Sequence, residues 1–315
     1  MKIPMCRPWL TQEDYEAVER TLRSGVLSSG GGGPEVERLE SEFARIHGYK
    51  NAVAVSSGGM GLWMMTSRLN GTVSITGATF PGVYNHLACG VKTHCDMGDD
   101  DEGDNPIATA LYHSSFVVPA TDRPVLADCC EAVGCSPVGH CDCVYSFYPN
   151  KQLAGGEGGI ICTNSADRAR WYRSARNNGR RGAAWEPAQW GMNMRMSELT
   201  AALVRSQLCR LETILEYRRA RWLYYKACLN RPTCELSISI FAYLWMADSA
   251  SHRERVAARL RGAGIESRRT FPPTRRADHP LPLWKQFYDT TLLLPFYTTM
   301  PLSEIETVCR EIRHA

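Results

Sequence analysis

This sequence predicts an α/β fold: a mainly parallel central sheet with helices on both faces, followed by a small C-terminal α+β domain. Three observations carry the prediction. Short β-rich runs alternate with helical stretches between residues 51 and 163, which is the pattern of a sheet whose parallel strands need crossovers. A chain of 315 residues is long enough for one large domain and a smaller one. Beyond about Tyr225 the pattern changes, so the expected domains are 1–225 and 226–315.

The elements follow in order. Thr11 stands before a helix with Asp14 three residues on, the spacing of a capping box, and Gly25 follows its end at Ser24. A second helix carries Pro34 in its first turn, places Val36, Leu39, Phe43 and Ile46 on one face, and stops at Gly48. NAVAV (51–55) reads as a buried strand, SSGGMGLWMM as a turn into a helix, and TVSIT (72–76) as a strand. Further strands are expected at IATAL (107–111), PVLAD (124–128), CVYSF (143–147) and GGIICT (158–163). A long helix, kinked or broken, runs from Ser197 to about Tyr225. After it come an alternating strand candidate, ELSISIFAYLW (235–245), a helix at 251–262 ended by Gly262 and Gly264, and a last helix from Leu302.

Composition excludes several classes. The 36 basic and 33 acidic residues leave a net charge of +3, and no basic run marks a nucleic-acid surface. MKIPMCRPWL lacks the apolar core of a signal peptide, and no apolar run reaches spanning length, so a cytoplasmic protein is expected, away from membranes. The 13 cysteines are odd in number and fit free thiols in a reducing compartment. Five of them, Cys129, Cys130, Cys135, Cys141 and Cys143, cluster around His140 without the C-x-x-C pairs of zinc sites. They are expected to act as small buried hydrophobes, with no metal bound.

The stretch SFYPNKQLAGGEGGIICTN sets one lysine, Lys151, five residues after Ser146 at a strand end. Asp128 closes another strand, and the SSGGMG turn offers the amides of Gly58, Gly59 and Met60 at a helix start, an anion cradle. In a parallel sheet these positions gather at the carboxyl ends of the strands. A carboxylate, an anion cradle, a hydroxyl and one lysine are what pyridoxal phosphate needs. Lys151 would form a Schiff base with its aldehyde. Asp128 would keep the pyridine nitrogen protonated, Ser146 and the three amides would hold the phosphate, and Phe80 would cover a ring face.

With these stretches, and with LRSGVLSSGGGGPEVERLESEFARIHG, GATFPGVYNH, ADCCEAVG, RNNGRR and GMNMRMSELTAAL in the same order, the chain resembles the pyridoxal-phosphate-dependent sugar aminotransferases of the DegT/StrS type over roughly its first 220 residues. The resemblance implies fold type I of the pyridoxal-phosphate transferases, with Lys151 and Asp128 catalytic. It also places Glu131 beside the cofactor's phenolic oxygen, Ser146 on the phosphate and Phe80 on the ring. Asn193 would reach the phosphate of a neighbouring subunit, which implies a homodimer with shared active sites. The implied reaction converts a keto sugar, most readily a nucleotide-linked one, to an amino sugar with glutamate or a similar amino donor. A keto-inositol substrate and a non-catalytic binding homologue are the alternatives. Lysine at 151 argues against the dehydratase branch, which carries histidine there.

Departures are visible. The family's SGT turn reads SGG, so Gly59 lacks a hydroxyl that would contribute about 0.5–1.5 kcal/mol to cofactor retention. RNHG reads RNNG, with Asn178. The chain is also shorter than usual members, mainly between Asp96 and Asp128 and after about Arg231. Taken singly, Asp128 and Asn193 are also compatible with helix caps, Glu131 with a capping box, and Phe80 with core packing. Arg195, Arg268, Arg269, Arg275 and Arg276 are open between a substrate phosphate and solvent.

Overall fold

Two capped helices open the chain. In the computed structural model, which describes residues 2–30, 32–71, 73–77, 79–86, 91–95, 105–109, 126–134, 141–181, 186–230, 240–274 and 280–315, α1 spans Gln12–Ser24 and α2 spans Pro34–Ile46. The Thr11 amide donates to Asp14 Oδ2 at 2.8 Å, and Gly25 ends α1 with φ +70°, a conformation that costs glycine least. On α2 the expected inner face is corrected at one position: Ile46 is 42% exposed, and Glu40 and Ala44 are buried instead.

The N-terminus of α2 is closed by a residue far away in sequence. Glu198, fully buried, accepts the amides of Gly33 at 2.9 Å, Glu35 at 2.7 Å and Val36 at 3.2 Å. A carboxylate there satisfies otherwise orphaned donors and complements the helix dipole. Glu198→Ala is expected to lower the unfolding free energy by about 1–3 kcal/mol, measured by urea denaturation. Gly33→Ala should also destabilise, because its Cβ would meet the same carboxylate at 2.7 Å.

The middle of the chain supplies the large sheet. Its elements are β1 (Asn51–Val55), α3 (Gly58–Thr66), β2 (Val73–Thr76), α4 (Pro81–His86), β3 (Val91–Cys95), β4 (Asn105–Thr109), β5 (Leu126–Asp128), β6 (Asp142–Ser146) and β7 (Gly159–Thr163). They assemble in the order β1-β7-β6-β5-β4-β2-β3. The pairs β2–β3, β2–β4, β4–β5 and β5–β6 are parallel, and only β7 runs against its two neighbours. The carboxyl ends of β1, β5 and β6 therefore share one edge of the sheet. Ala110, Leu111, Pro124 and Val125 of the expected strands lie outside the described residues, as do Thr72, Cys135 and His140. Cys129, Cys141, Cys143 and Cys162 are buried in the core, as small hydrophobes, but Cys130 is only partly covered.

Next come α5 (Ala166–Ala175), α6 (Glu198–Leu208) and α7 (Leu211–Leu229). The long helix expected from Ser197 is broken at Cys209 and Arg210, and Arg210 donates to Asp14 Oδ2 at 2.5 Å. Ser197 caps α6 by accepting the Thr200 amide at 3.1 Å, which removes Asn193 as a cap. The chain ends in β8 (Tyr243–Met246), α8 (Ala250–Gly262), α9 (Pro282–Thr290), β9 (Thr291–Leu294) and α10 (Leu302–Arg313), with β8 and β9 antiparallel. Of the expected strand 235–245, residues 235–239 lie outside the described residues, and pairing begins only at Tyr243. α7 joins two of the four hydrophobic clusters among the described residues: it gives Leu211 and Ile214 to one, and Trp222, Tyr225 and Leu229 to another.

Candidate active site

β1 ends in a sharp turn because two glycines let the backbone close in. A Cβ on Gly58 would lie 2.7 Å from Cys130 Sγ and 3.0 Å from Ser146 Cβ, and one on Gly159 would lie 2.5 Å from the Gly58 nitrogen. The start of α3 thus sits directly over the ends of β5 and β6. Ser57 caps α3 by accepting the Met60 amide at 3.1 Å. Of the three expected phosphate donors, Met60 is therefore engaged and does not line the cleft. The Gly58 and Gly59 amides do line it and have no acceptor among the described residues.

That cleft, of about 480 Å³, also brings together Asp128, Glu131, Ser146, Lys151 and Phe80. Asp128 is 6% exposed, its Oδ1 accepts the Cys130 amide at 3.1 Å, and no cation pairs with it among the described residues. A buried carboxylate without a cation is costly and suits a cationic ligand. Burial, with Asp128 adding to it, pushes the Cys130 thiol well above its usual range. Ser146 Oγ accepts the Tyr148 amide at 3.3 Å, leaving its proton free to donate.

Lys151 is held at both flanks. Its side chain is 12% exposed and its Nζ lies 3.4 Å from Glu131 Oε1. Gln152 donates to the Glu131 carbonyl at 3.0 Å, which ties the lysine loop to the 129–134 segment. Gln207 of α6 brackets Ala154, accepting its amide at 2.9 Å and donating to its carbonyl at 2.8 Å. Neither glutamine is marked by any sequence pattern.

His47 anchors the same segment from behind. Its Nε2 accepts the Gly134 amide at 3.2 Å while Nδ1 faces the Phe43 carbonyl at 3.1 Å, which fixes the neutral ring with its proton on Nδ1. Burial pushes its pKa below the usual value, against the Phe43 bond. A folded pKa below the unfolded one leaves full stability above about pH 6.5 and removes it as pH falls below that value. Wild-type urea midpoints should drop between pH 7.5 and 5.5 by more than those of His47→Gln, whose amide can keep both bonds without titrating.

Phe80 is 57% exposed and meets Phe271 edge-on, with ring centroids 5.8 Å apart. Asn193 is exposed, outside the cleft, in a backbone bridge with Asn177. Among the uncommitted arginines, Arg268 lines the cleft, Arg195 donates to Asn177 at 2.8 Å, and Arg269 lies over Tyr288. Arg275 and Arg276 lie outside the described residues. Asn178, where the RNNG stretch departs from its pattern, has φ +59°, which asparagine tolerates. Sequence reasoning missed Cys130, Tyr148, Glu157 and Phe271, which also line the cleft.

Comparisons with known proteins bear on the family and the fold. The sequence model of the DegT/DnrJ/EryC1/StrS aminotransferase family matches residues 8–93 and 117–313, well past the roughly 220 residues covered by the motifs. The chain is 29% identical over 262 residues to the spore coat polysaccharide biosynthesis protein SpsC of Bacillus subtilis (strain 168), covering 69% of this chain and 66% of that one. It is 27% identical over 239 residues to dTDP-3-amino-3,4,6-trideoxy-alpha-D-glucose transaminase of Micromonospora megalomicea subsp. nigra, covering 65% and 63%. The matches thus span just under two thirds of those relatives. Among solved structures, the aminotransferase TlmJ from Streptoalloteichus hindustanus superposes with a TM-score of 0.88 at 22% identity, over 100% of this chain and 98% of that one.

Proposed function

The chain belongs to the DegT/DnrJ/EryC1/StrS aminotransferase family, and on that premise we propose that it is a pyridoxal-phosphate-dependent aminotransferase that turns the ketone of a nucleotide-linked sugar into an amine, taking nitrogen from glutamate or a similar donor. One observation carries the reading: a secluded lysine, a buried carboxylate without a described cation and two acceptor-free amides line one cleft. When bound, pyridoxal phosphate would supply an aldehyde for covalent capture of amines and a ring that accepts electron density from the substrate carbon.

The chain's own residues have distinct tasks. Gly58 and Gly59 donate backbone N–H groups to the phosphate, and Ser146 adds its hydroxyl. Asp128 holds a proton on the ring nitrogen, offsetting its own buried charge. Lys151 would be the residue that holds the aldehyde covalently, and its free amine would serve as the base that moves a proton between carbon centres. Glu131, 3.4 Å from Nζ, orients that amine, and Phe80 covers a face of the ring. Asn193, exposed and outside its own cleft, is available to a second copy, which supports a homodimer with shared sites. We read residues 1–225 as the cofactor-binding domain and 226–315 as the smaller one. No helix among the described residues is long and apolar enough to cross a membrane, which is compatible with a cytoplasmic enzyme.

Incubation with pyridoxal phosphate, reduction by borohydride and peptide mapping test the proposal. The cofactor should be trapped on Lys151, and the visible band should bleach when an amino donor is added before reduction. Trapping elsewhere, or a band that no donor bleaches, would overturn catalysis and favour a binding protein.

A further inference from the structure

The reactive amine is held by a ring that the proposed function does not use. Lys151 Nζ lies 4.4 Å from the centroid of the Phe241 ring, opposite in origin to Glu131: Phe241 comes from the C-terminal part of the chain, two residues ahead of β8. It is 8% exposed and packs with Leu244, Leu293 and Phe271. Phe271 in turn touches Phe80, so one apolar cluster reaches both the lysine and the mouth of the cleft.

The backbone at Phe241 is fixed by a buried guanidinium rather than by strand pairing. Arg218 of α7 donates Nε to the Ile240 carbonyl at 2.7 Å, Nη2 to the Phe241 carbonyl, and Nη1 to Thr298 Oγ1 at 3.3 Å. It is 3% exposed, has no carboxylate partner among the described residues, and lies 4.8 Å from the Phe296 ring. Burial lowers its pKa to about 9. A cation so placed is costly, and what its fork secures is the pair of carbonyls that aims the Phe241 ring.

We infer that Phe241 is a positioning residue for Lys151: clamped by Arg218, its ring acts with Glu131 to hold the ε-ammonium at the cleft floor whenever the amine is not joined to a carbonyl ligand. The inference rests on Lys151 being the reactive amine. A ring face attracts the ammonium and not the neutral amine, so the contact places the charged nitrogen at the cleft floor. On the cleft side Asp128, Cys130, Glu131, Tyr148, Glu157 and Arg268 share the space. Behind, a cavity of about 10 Å³ joins Lys151 to Arg218, with Cys6, Arg7 and Tyr297 in its wall. Replacing Phe241 changes none of these charges, so a change in the reactivity of Lys151 isolates the ring.

The test uses the full chain, freed of carbonyl ligands by dialysis against hydroxylamine. Trace acylation with acetic anhydride at one fixed pH, read on the Lys151 peptide by mass spectrometry, gives the relative reactivity of its amine. Phe241→Leu should raise that reactivity about 2–5-fold by freeing the amine from the ring, and Phe241→Tyr should keep it at the wild-type level. Arg218→Lys, which retains charge but loses the fork, should raise the reactivity as Phe241→Leu does. Circular dichroism and melting curves verify folding. Equal reactivities for wild type and Phe241→Leu would overturn the inference, and a change in Phe241→Leu without one in Arg218→Lys would overturn the clamp. The two readings fail separately. A chain whose variants react as expected yet which traps no pyridoxal phosphate loses the function, and one that traps it on Lys151 with unchanged reactivities loses only the positioning role.

Discussion

Lys151→Ala is expected to retain the fold and to lose transamination by at least about 10²–10⁴-fold, the usual contribution of a positioned proton-transfer group. The loss should fall on kcat, because the residues proposed to hold phosphate and ring, Gly58, Gly59, Ser146 and Asp128, are untouched. Lys151→Arg sharpens the reading. A guanidinium can keep the ion pair with Glu131, which is 3.4 Å from Nζ, but it stays protonated and is no nucleophile. Its activity should therefore fall with that of Lys151→Ala while its stability stays near wild type. Single-turnover measurements with a sugar ketone and glutamate, together with spectra of bound cofactor, separate chemistry from binding. Wild-type turnover in Lys151→Ala would remove the foundation of the proposed function.

Why the lysine was legible and its supports were not follows from how each is encoded. Strand ends, glycine turns and a lysine at fixed offset from a serine are local patterns, and Asp128, Ser146, Lys151 and Gly58 meet at one sheet edge because only β7 breaks the parallel order. α1, capped by Thr11 and Asp14 and ended by Gly25, was equally local. By contrast, Gln207 serves the lysine loop from 53 residues away in sequence, and Arg218 serves Phe241 through backbone carbonyls that carry no residue identity. Glu198 and Glu40 look like ordinary helix-surface charges until tertiary contacts turn them inward. β3, α4, α5, α9 and β9 were missed as well. Their segments are short or charged, and α5 gains its place by burying Tyr172 against Asp142, 2.7 Å from its hydroxyl. The cap by Ser57 on the Met60 amide, which takes the same donor that an anion would use, was not anticipated either.

Glu40 should give the largest stability effect among the described residues. It is 6% exposed on α2 and faces β1, an edge strand whose free groups would otherwise invite pairing with another chain. Oε1 accepts the Ala54 amide at 3.0 Å and pairs with the buried Arg176, which also donates to the Ala54 carbonyl at 2.6 Å. Oε2 takes Arg173 at 3.1 Å, and Arg173 donates to the Ala52 carbonyl at 2.9 Å. Removing the carboxylate deprives a buried guanidinium of its counter-charge and an edge amide of its acceptor. Glu40→Ala is expected to cost about 3–5 kcal/mol, the range for breaking a buried pair, and Glu40→Gln less, since its carbonyl can still accept from Ala54. Urea denaturation read by tryptophan fluorescence gives both values. Because β1 leads into the Gly58–Gly59 turn, phosphate-containing ligands should also bind more weakly to whatever Glu40→Ala protein folds. Equal losses for the two variants would mean that charge, not the edge hydrogen bond, dominates. Losses below about 1 kcal/mol, the level of surface pairs, would mean that α2 does not hold the edge of the sheet.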